Sequence, residues 1–322
     1  MSFSPEMDGF VERVDRLVAN VARVMHGKDQ VVRSAIACVL AEGHLLIEDV
    51  PGVGKTSLAR AIAASTALTW NRIQFTPDLL PTDVTGVSVF DQATTTFSFR
   101  PGPVFANIVL GDEINRASPK TQSALLEVMQ EQTVTTDATV YRVPRPFVVV
   151  ATQNPIDLEG TYVLPEAQLD RFMMRLRVGY PGPEAEAQVL RTEKDEATVS
   201  HLPPVMTGEE LVDMIDFVKR AVEVAPVIEN YIVAVCSYTR TLPEVRLGVS
   251  PRGSLALLRA ARVTAACGGR SYVTPDDVKA MAHPTLAHRV MLRPDAEIQG
   301  RTTEDVVARA LQAVPVPRTL VR

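Results

Sequence analysis

The stretch "LLIEDVPGVGKTSLARAIAAS", Leu45 to Ser65, decides the fold. A short apolar run reads as a strand, a glycine-containing turn follows, and "KTSLARAIAAS" reads as a helix. The turn nearly matches the phosphate-binding pattern G-x-x-x-x-G-K-[ST]. Gly54, Lys55 and Thr56 fill its last three places, and Asp49 stands where the first glycine is expected. Gly52 and Gly54 carry no Cβ, so backbone N–H groups can approach a phosphate closely. Lys55 can reach terminal phosphates, the Thr56 hydroxyl can ligate Mg²⁺, and the helix that follows points its positive end at the anion. The nucleotide-contacting run is therefore read as Pro51, Gly52, Val53, Gly54, Lys55, Thr56 and Ser57.

Downstream, "NIVLGDE" (Asn107–Glu113) is a second apolar strand that ends in two adjacent carboxylates. Such a pair is costly at a buried strand end unless it has a task. Asp112 suits Mg²⁺, directly or through water, and Glu113 suits a base that polarises the attacking water. A third apolar strand, "FVVVATQN" (Phe147–Asn154), ends in Asn154, which is placed to hydrogen-bond a γ-phosphate or the lytic water. Two arginines stand out further on. Arg171 lies in "LPEAQLDRF", read as a short helix, and Arg252 lies at the helix start in "GVSPRGSLALL". Taken alone, each reads as a solvated surface charge.

Outward from these motifs, residues 6 to 42 read as two helices broken near "HGKD" (His26–Asp29). "MRLRVG" (Met174–Gly179) is a fourth strand. Apolar strands separated by helices imply a parallel sheet covered on both faces. Two β-rich stretches, "VSVFDQATTTFSFRPG" and "QTVTTDATVYRVPRPF", read as hairpins inserted into that α/β rhythm. "SPKTQSALLEVMQEQ" reads as a helix capped by Ser118, with Pro119 in its first turn. After "YPGPEAEAQ" the chain reads as almost entirely helical, starting with Thr207 and Glu210 in a capping-box spacing. The expected division is N-terminal helices over 1–42, an α/β nucleotide-binding core over 43–199 and a smaller all-α lid over 200–322. The boundary is expected near 195 to 205.

The bulk numbers narrow the function. The chain has 322 residues, 46% of them hydrophobic, enough for a sizeable core. Its net charge of −5 argues against binding DNA by charge alone. Cys38, Cys236 and Cys267 sit apart in apolar runs with no metal spacing, and read as buried thiols in a reducing compartment. The acidic, amphipathic N-terminus is unlike a signal peptide, and no apolar run reaches the ~18 residues of a membrane span. A cytoplasmic protein is expected.

The motif set resembles the AAA+ ATPases, and within them the MoxR group of the helix-2-insert clade. The resemblance rests on "EDVPGVGKTSLARA", "IQFTPDLLPTDVTG", "FRPGPVFANIVLGDEINRASPKTQSALLEVMQE", "VVVATQNPIDLEGTYVLPEAQLDRFMM" and "SPRGSLALLRAAR", over roughly residues 15 to 290. It implies a P-loop AAA+ core with hairpin inserts and a helical lid. Lys55 and Thr56 would be Walker A, Asp112 and Glu113 Walker B, Asn154 sensor 1 and Arg252 sensor 2. Arg171 would be an arginine finger acting on the next subunit. ATP and Mg²⁺ would be the cofactors. The two hairpins would be the helix-2 insert and the pre-sensor-1 hairpin. The implied assembly is a ring, a hexamer, that remodels client proteins with a von Willebrand A-type partner. A metal-inserting chelatase subunit, a DNA-associated motor and a nucleotide-sensing scaffold are the other classes weighed. Net charge counts against the DNA motor, and Glu113 with Arg171 counts against a pure sensor.

Three smaller expectations complete the reading. Asp49 should point away from the phosphate, which it would repel, and accept a hydrogen bond from the loop backbone. His283 and His288, five apart, are not a metal pair. Arg142 and Arg145 should belong to a solvated hairpin, with contact to an acidic partner or nucleic acid as the alternative.

Overall fold

The computed structural model describes residues 5–50, 52–92, 95–154, 161–192 and 202–317, without the side chains of 189–192. Pro51, part of the hairpin tip "QATTT" and most of the expected boundary near 195 to 205 lie outside the described residues.

Two helices open the chain, α1 (Pro5–Ala22) and α2 (Asp29–Leu40). The core then runs β1 (Leu45–Glu48), α3 (Lys55–Ser65), β2 (Trp70–Gln74) and the short α4 (Pro81–Thr85). The first hairpin, β3 (Gly86–Asp91) with β4 (Thr96–Pro101), interrupts it. Next come β5 (Ile108–Asp112) and α5 (Pro119–Glu131), whose N-cap Ser118 accepts from the Thr121 N–H as expected. The second hairpin is β6 (Thr133–Thr136) with β7 (Thr139–Arg142). β8 (Val148–Gln153), α6 (Glu166–Leu169), β9 (Met174–Leu176) and α7 (Pro183–Thr192) finish the core.

The C-terminal unit contains α8 (Gly208–Ala221), α9 (Pro226–Thr239), β10 (Val245–Leu247), α10 (Pro251–Cys267) and α11 (Pro275–Leu286). It ends with β11 (Met291–Leu292), α12 (Pro294–Ile298) and α13 (Thr303–Ala313). The Thr207–Glu210 capping box at α8 is formed in both directions. The all-helical expectation needs one correction: β10 and β11 pair as a small antiparallel ladder. Among the described residues no helix is long and apolar enough to cross a membrane.

The central sheet has five strands in the order β2-β5-β8-β1-β9, and every pairing is parallel. Its strands alternate between two cores, as a sheet covered on both faces requires. Leu45, Ile47, Ile108, Leu110, Val148 and Val150 face the core shared with α1, α2, α3 and the C-terminal unit. Leu46, Ile73, Val109, Val149 and Ala151 face the core built on α5. β2 is the one strand of the central sheet that the sequence reading leaves out. As an edge strand it buries Ile73 alone, and its other residues are exposed or half-buried, so no apolar run marks it. Cys38 and Cys236 are buried as expected, while Cys267 is only partly so.

The second hairpin's neighbourhood also departs from expectation. Arg145 is not free for an outside partner. Its Nε donates to Glu42 at 2.8 Å, and its Nη2 and Nη1 donate to the two Asp216 oxygens at 2.6 and 3.2 Å. Lys219 pairs with the same Glu42. The core loop after β7, the end of α2 and helix α8 are thus tied by one ionic cluster.

Candidate functional site

In parallel α/β sheets, ligands sit beyond the carboxyl ends of strands flanking a crossover. Here the carboxyl ends of β1, β5 and β8 carry the loop before Lys55, the Asp112–Glu113 pair and Asn154. The three motifs that the sequence singles out converge there.

Loop geometry explains its glycines. Gly52 and Gly54 have φ of +85° and +90°, which an L side chain rarely adopts. A Cβ at Gly52 would meet nothing within 4 Å, so the loop leaves open space above its backbone. Gly54 then serves as the N-cap of α3. Val53 is buried beneath the loop, while Lys55, Thr56 and Ser57 are half-buried at the helix start. The Lys55 ammonium donates to the carbonyls of Asp49 (2.6 Å) and Val50 (3.2 Å). Burial holds its pKa below the ordinary lysine value, against the opposing pull of Asp49, Asp112 and Glu113. Asp49 itself points away, as expected. One carboxylate oxygen accepts from the Val50 N–H (2.8 Å) and the other from the Gly179 N–H beyond β9 (2.6 Å). The departure from the glycine pattern thus staples the loop to the neighbouring chain.

The carboxylate pair is held by residues that sequence reasoning missed. Thr152, fully buried on β8, donates its hydroxyl to Asp112 Oδ1 (2.7 Å) and accepts from the Glu113 N–H (2.9 Å). Glu113 adopts a left-handed backbone, φ +56° and ψ +51°, a conformation that costs a non-glycine residue free energy. From β2, Arg72 donates to Asp112 Oδ2 through Nε (3.0 Å) and pairs through Nη2 (2.7 Å). Gln74, two residues on and so on the same face, reaches Glu113 Oε2 at 3.3 Å. Arg116 pairs with the same oxygen at 2.9 Å. Thr56 Oγ1 lies 3.5 Å from Asp112 Oδ2. Asn154 is buried at the neighbouring strand end.

Among the described residues no group of three or more His, Cys, Asp or Glu could by itself hold a metal ion. A Mg²⁺ ion that arrives with a nucleotide would need one or two protein oxygens, its shell being completed by phosphate and water. The Thr56 hydroxyl and Asp112 Oδ2 are the oxygens in place.

Arg171 and Arg252 are brought together, but at the other end of the sheet. Arg171 sits in the turn just after α6 rather than on it. Both arginines line a cavity of 380 Å³ with Gly43, His44, Met173 and Arg289. Gly43 and His44 precede β1 and Met173 precedes β9, so this cavity opens at the amino ends of strands whose carboxyl ends face the loop. The four residues of β1 put roughly 13 Å between those ends. Asp170 organises the cavity: it accepts from Ser250 Oγ (2.9 and 3.1 Å) and Arg289 Nη1 (3.1 Å), with Arg252 at 3.8 Å. Arg252 also donates to Gln130 at 3.4 Å. Arg171 Nε is buried without a hydrogen-bond partner among the described residues. His288 is buried against the Phe172 carbonyl, 3.0 Å from its Nε2.

Comparison with known proteins gives the same picture. Residues 44–174 match the model of the ATPase family associated with various cellular activities (AAA), and residues 237–310 match that of the AAA lid domain. The chain is 49% identical over 305 residues to the uncharacterized protein YeaC of Bacillus subtilis, covering 94% of each. It is 40% identical over 318 residues to Chaperone MoxR1 of Mycobacterium tuberculosis, covering 96% of this chain and 83% of that one. It is 30% identical over 329 residues to Protein MoxR of Methylorubrum extorquens, covering 94% of each. The crystal structure of a candidate ATPase from Cytophaga hutchinsonii superposes with a TM-score of 0.90 at 33% identity, covering 97% of each chain.

Proposed function

The chain belongs to the MoxR group of AAA ATPases, and from that membership we propose that it hydrolyses ATP with Mg²⁺ to remodel client proteins. The observation that carries the reading is the meeting of Lys55, Thr56, Asp112, Glu113 and Asn154 at the carboxyl ends of β1, β5 and β8. In this reading 43–199 is the nucleotide-binding core, 200–322 the lid, and 1–42 a helical layer packed on the core through α1 and α3.

Residues 51–57 wrap the phosphates, with Lys55 supplying a positive charge and the N-terminus of α3 its partial charge. Thr56 and Asp112 would hold Mg²⁺, which would supply positive charge against the nucleotide's phosphates. Glu113 takes the role of base toward water, its carboxylate aimed by the backbone that Thr152 pins. Asn154 orients the water or the γ-phosphate. Arg171 and Arg252, at the opposite sheet end from their own Lys55, serve the nucleotide of an adjoining subunit. Positive charge delivered there stabilises the transition state, and in other phosphoryl-transfer systems such a finger is worth about 10³–10⁵ in rate. A closed ring, a hexamer, gives every loop such a neighbour. A von Willebrand A-type partner follows from the resemblance, a cytoplasmic setting remains the expectation of the sequence reading, and the net charge of −5 argues against nucleic acid.

Glu113→Gln tests the central claim. It should retain nucleotide binding, measured with a fluorescent ATP analogue, and lose hydrolysis. Hydrolysis at the unmodified rate would overturn the assignment of the base.

A further inference from the structure

Arg72 makes an ion pair that the proposed chemistry does not explain. Its Nε and Nη2 both meet one oxygen, Asp112 Oδ2, at 3.0 and 2.7 Å. The other oxygen, Oδ1, is committed to the Thr152 hydroxyl. The same Oδ2 is the oxygen turned toward Thr56, whose Oγ1 lies 3.5 Å away. A cation held by Thr56 and Asp112 would need that oxygen. Arg72 and that cation are therefore competitors for one oxygen and for its negative charge.

The setting favours exchange over a fixed structural pair. The Arg72 side chain is 49% exposed and stands on the sheet's edge strand, while that of Asp112 is 10% exposed. Displaced guanidinium can pass into water, and it keeps a neighbour in Gln74 Oε1 at 2.8 Å. Asp112 meanwhile keeps its orientation through Thr152. One partner is free to leave and the other is fixed, which is the arrangement of a replaceable counter-ion.

We infer that Arg72 is an internal counter-ion of Asp112 that a divalent cation must displace, so that it sets the cation concentration at which the nucleotide site loads. This rests on the reading of the site given above as a Mg²⁺–nucleotide site.

The test is a Mg²⁺ titration of the full chain at fixed concentration of a fluorescent ADP analogue, read as nucleotide bound rather than as activity. Mn²⁺ replaces Mg²⁺ in a parallel titration, with free Mn²⁺ followed by its paramagnetic resonance signal. Arg72→Gln, which keeps a donor but removes the charge, should lower the half-saturating Mg²⁺ about tenfold, equivalent to about 1.4 kcal/mol. Arg72→Lys, which keeps the charge but replaces the planar Nε–Nη2 edge with a single ammonium, should fall between it and the unmodified protein. If Arg72→Gln does not fold, as judged by circular dichroism, the lysine variant carries the test alone. An unchanged or higher midpoint in the folded variant overturns the inference. If the unmodified protein binds the analogue with no dependence on Mg²⁺, the reading of the site falls and the inference falls with it. If that dependence is present and the Arg72 variants leave its midpoint in place, the inference alone is lost.

Discussion

Thr152→Val removes one oxygen and nearly nothing else, so it isolates what holds the two carboxylates in place. The hydroxyl is fully buried and makes two bonds, to Asp112 Oδ1 at 2.7 Å and from the Glu113 N–H at 2.9 Å. Valine has the same shape and neither bond. The Glu113 N–H is left without this acceptor, which costs about 1–3 kcal/mol where the group stays buried. Asp112 loses a hydrogen bond to a charged group, in the range of about 1.5–3 kcal/mol, although Arg72 still faces its other oxygen. Together the two terms come to about 2.5–6 kcal/mol. With a urea slope of about 3 kcal/mol/M the unfolding midpoint falls by roughly 1–2 M. Glu113 then loses the bond at its N–H that helps hold its left-handed backbone, so hydrolysis should fall while nucleotide affinity, set mainly at residues 51–57, changes little. Thr152→Ser keeps the oxygen and should restore both properties. The assays are urea denaturation followed by circular dichroism, and phosphate release at saturating ATP. If Thr152→Val unfolds at the unmodified midpoint and hydrolyses ATP at the unmodified rate, the hydroxyl is not the pin described here.

Arg171→Ala and Lys55→Ala should each be nearly inactive alone, and mixing them should restore part of the activity, because one type of interface then joins an intact loop to an intact arginine. Subunit exchange is checked with tagged protein; exchange without any recovery removes the role in trans. Acid should destabilise the fold through His44, which accepts from the Val149 N–H and faces the Met129 carbonyl. Burial lowers its pKa from 6.5 to about 4. The unfolded chain then binds more protons between those values, so stability is full above 6.5 and is lost as pH falls toward 4, by about 2 kcal/mol at pH 5. Buried His288 is shifted in the same direction. His44→Gln should flatten the dependence of the urea midpoint between pH 7 and pH 5, and an unchanged slope would assign it elsewhere.

Much of the site was legible because its parts are local. The loop around Lys55, the Asp112–Glu113 pair and Asn154 each lie at the end of a strand that reads as an apolar run. Asp49 was legible as well, since a carboxylate near phosphate has to turn aside. β2 was not: an edge strand exposes most of its residues, and Ile73 is the one buried position. With β2 went Arg72 and Gln74, whose i, i+2 spacing would have placed both on the carboxylate face. Thr152 sits inside "VVVATQ", where one hydroxyl among valines gives no hint of its two partners. The approach of Arg252 to Arg171, and of Arg145 to Asp216, depends on how the C-terminal unit docks. No local pattern encodes that.

Arg289 gives that docking a mechanical meaning. Its side chain is 2% exposed, and it donates to the Phe172 carbonyl at 2.6 Å, to the Thr285 carbonyl at 3.0 Å and to Asp170 at 3.1 Å. Asp170 and Phe172 are the residues on either side of Arg171. Releasing a buried guanidinium from such partners costs about 3–5 kcal/mol, more than a thermal fluctuation supplies. The backbone on both sides of Arg171 is therefore anchored in the C-terminal unit. A tilt of that unit turns this backbone as a crank turns its pin, and a force on Arg171 passes through Asp170 and Phe172 to Arg289, just after α11, and to Ser250, the N-cap of α10.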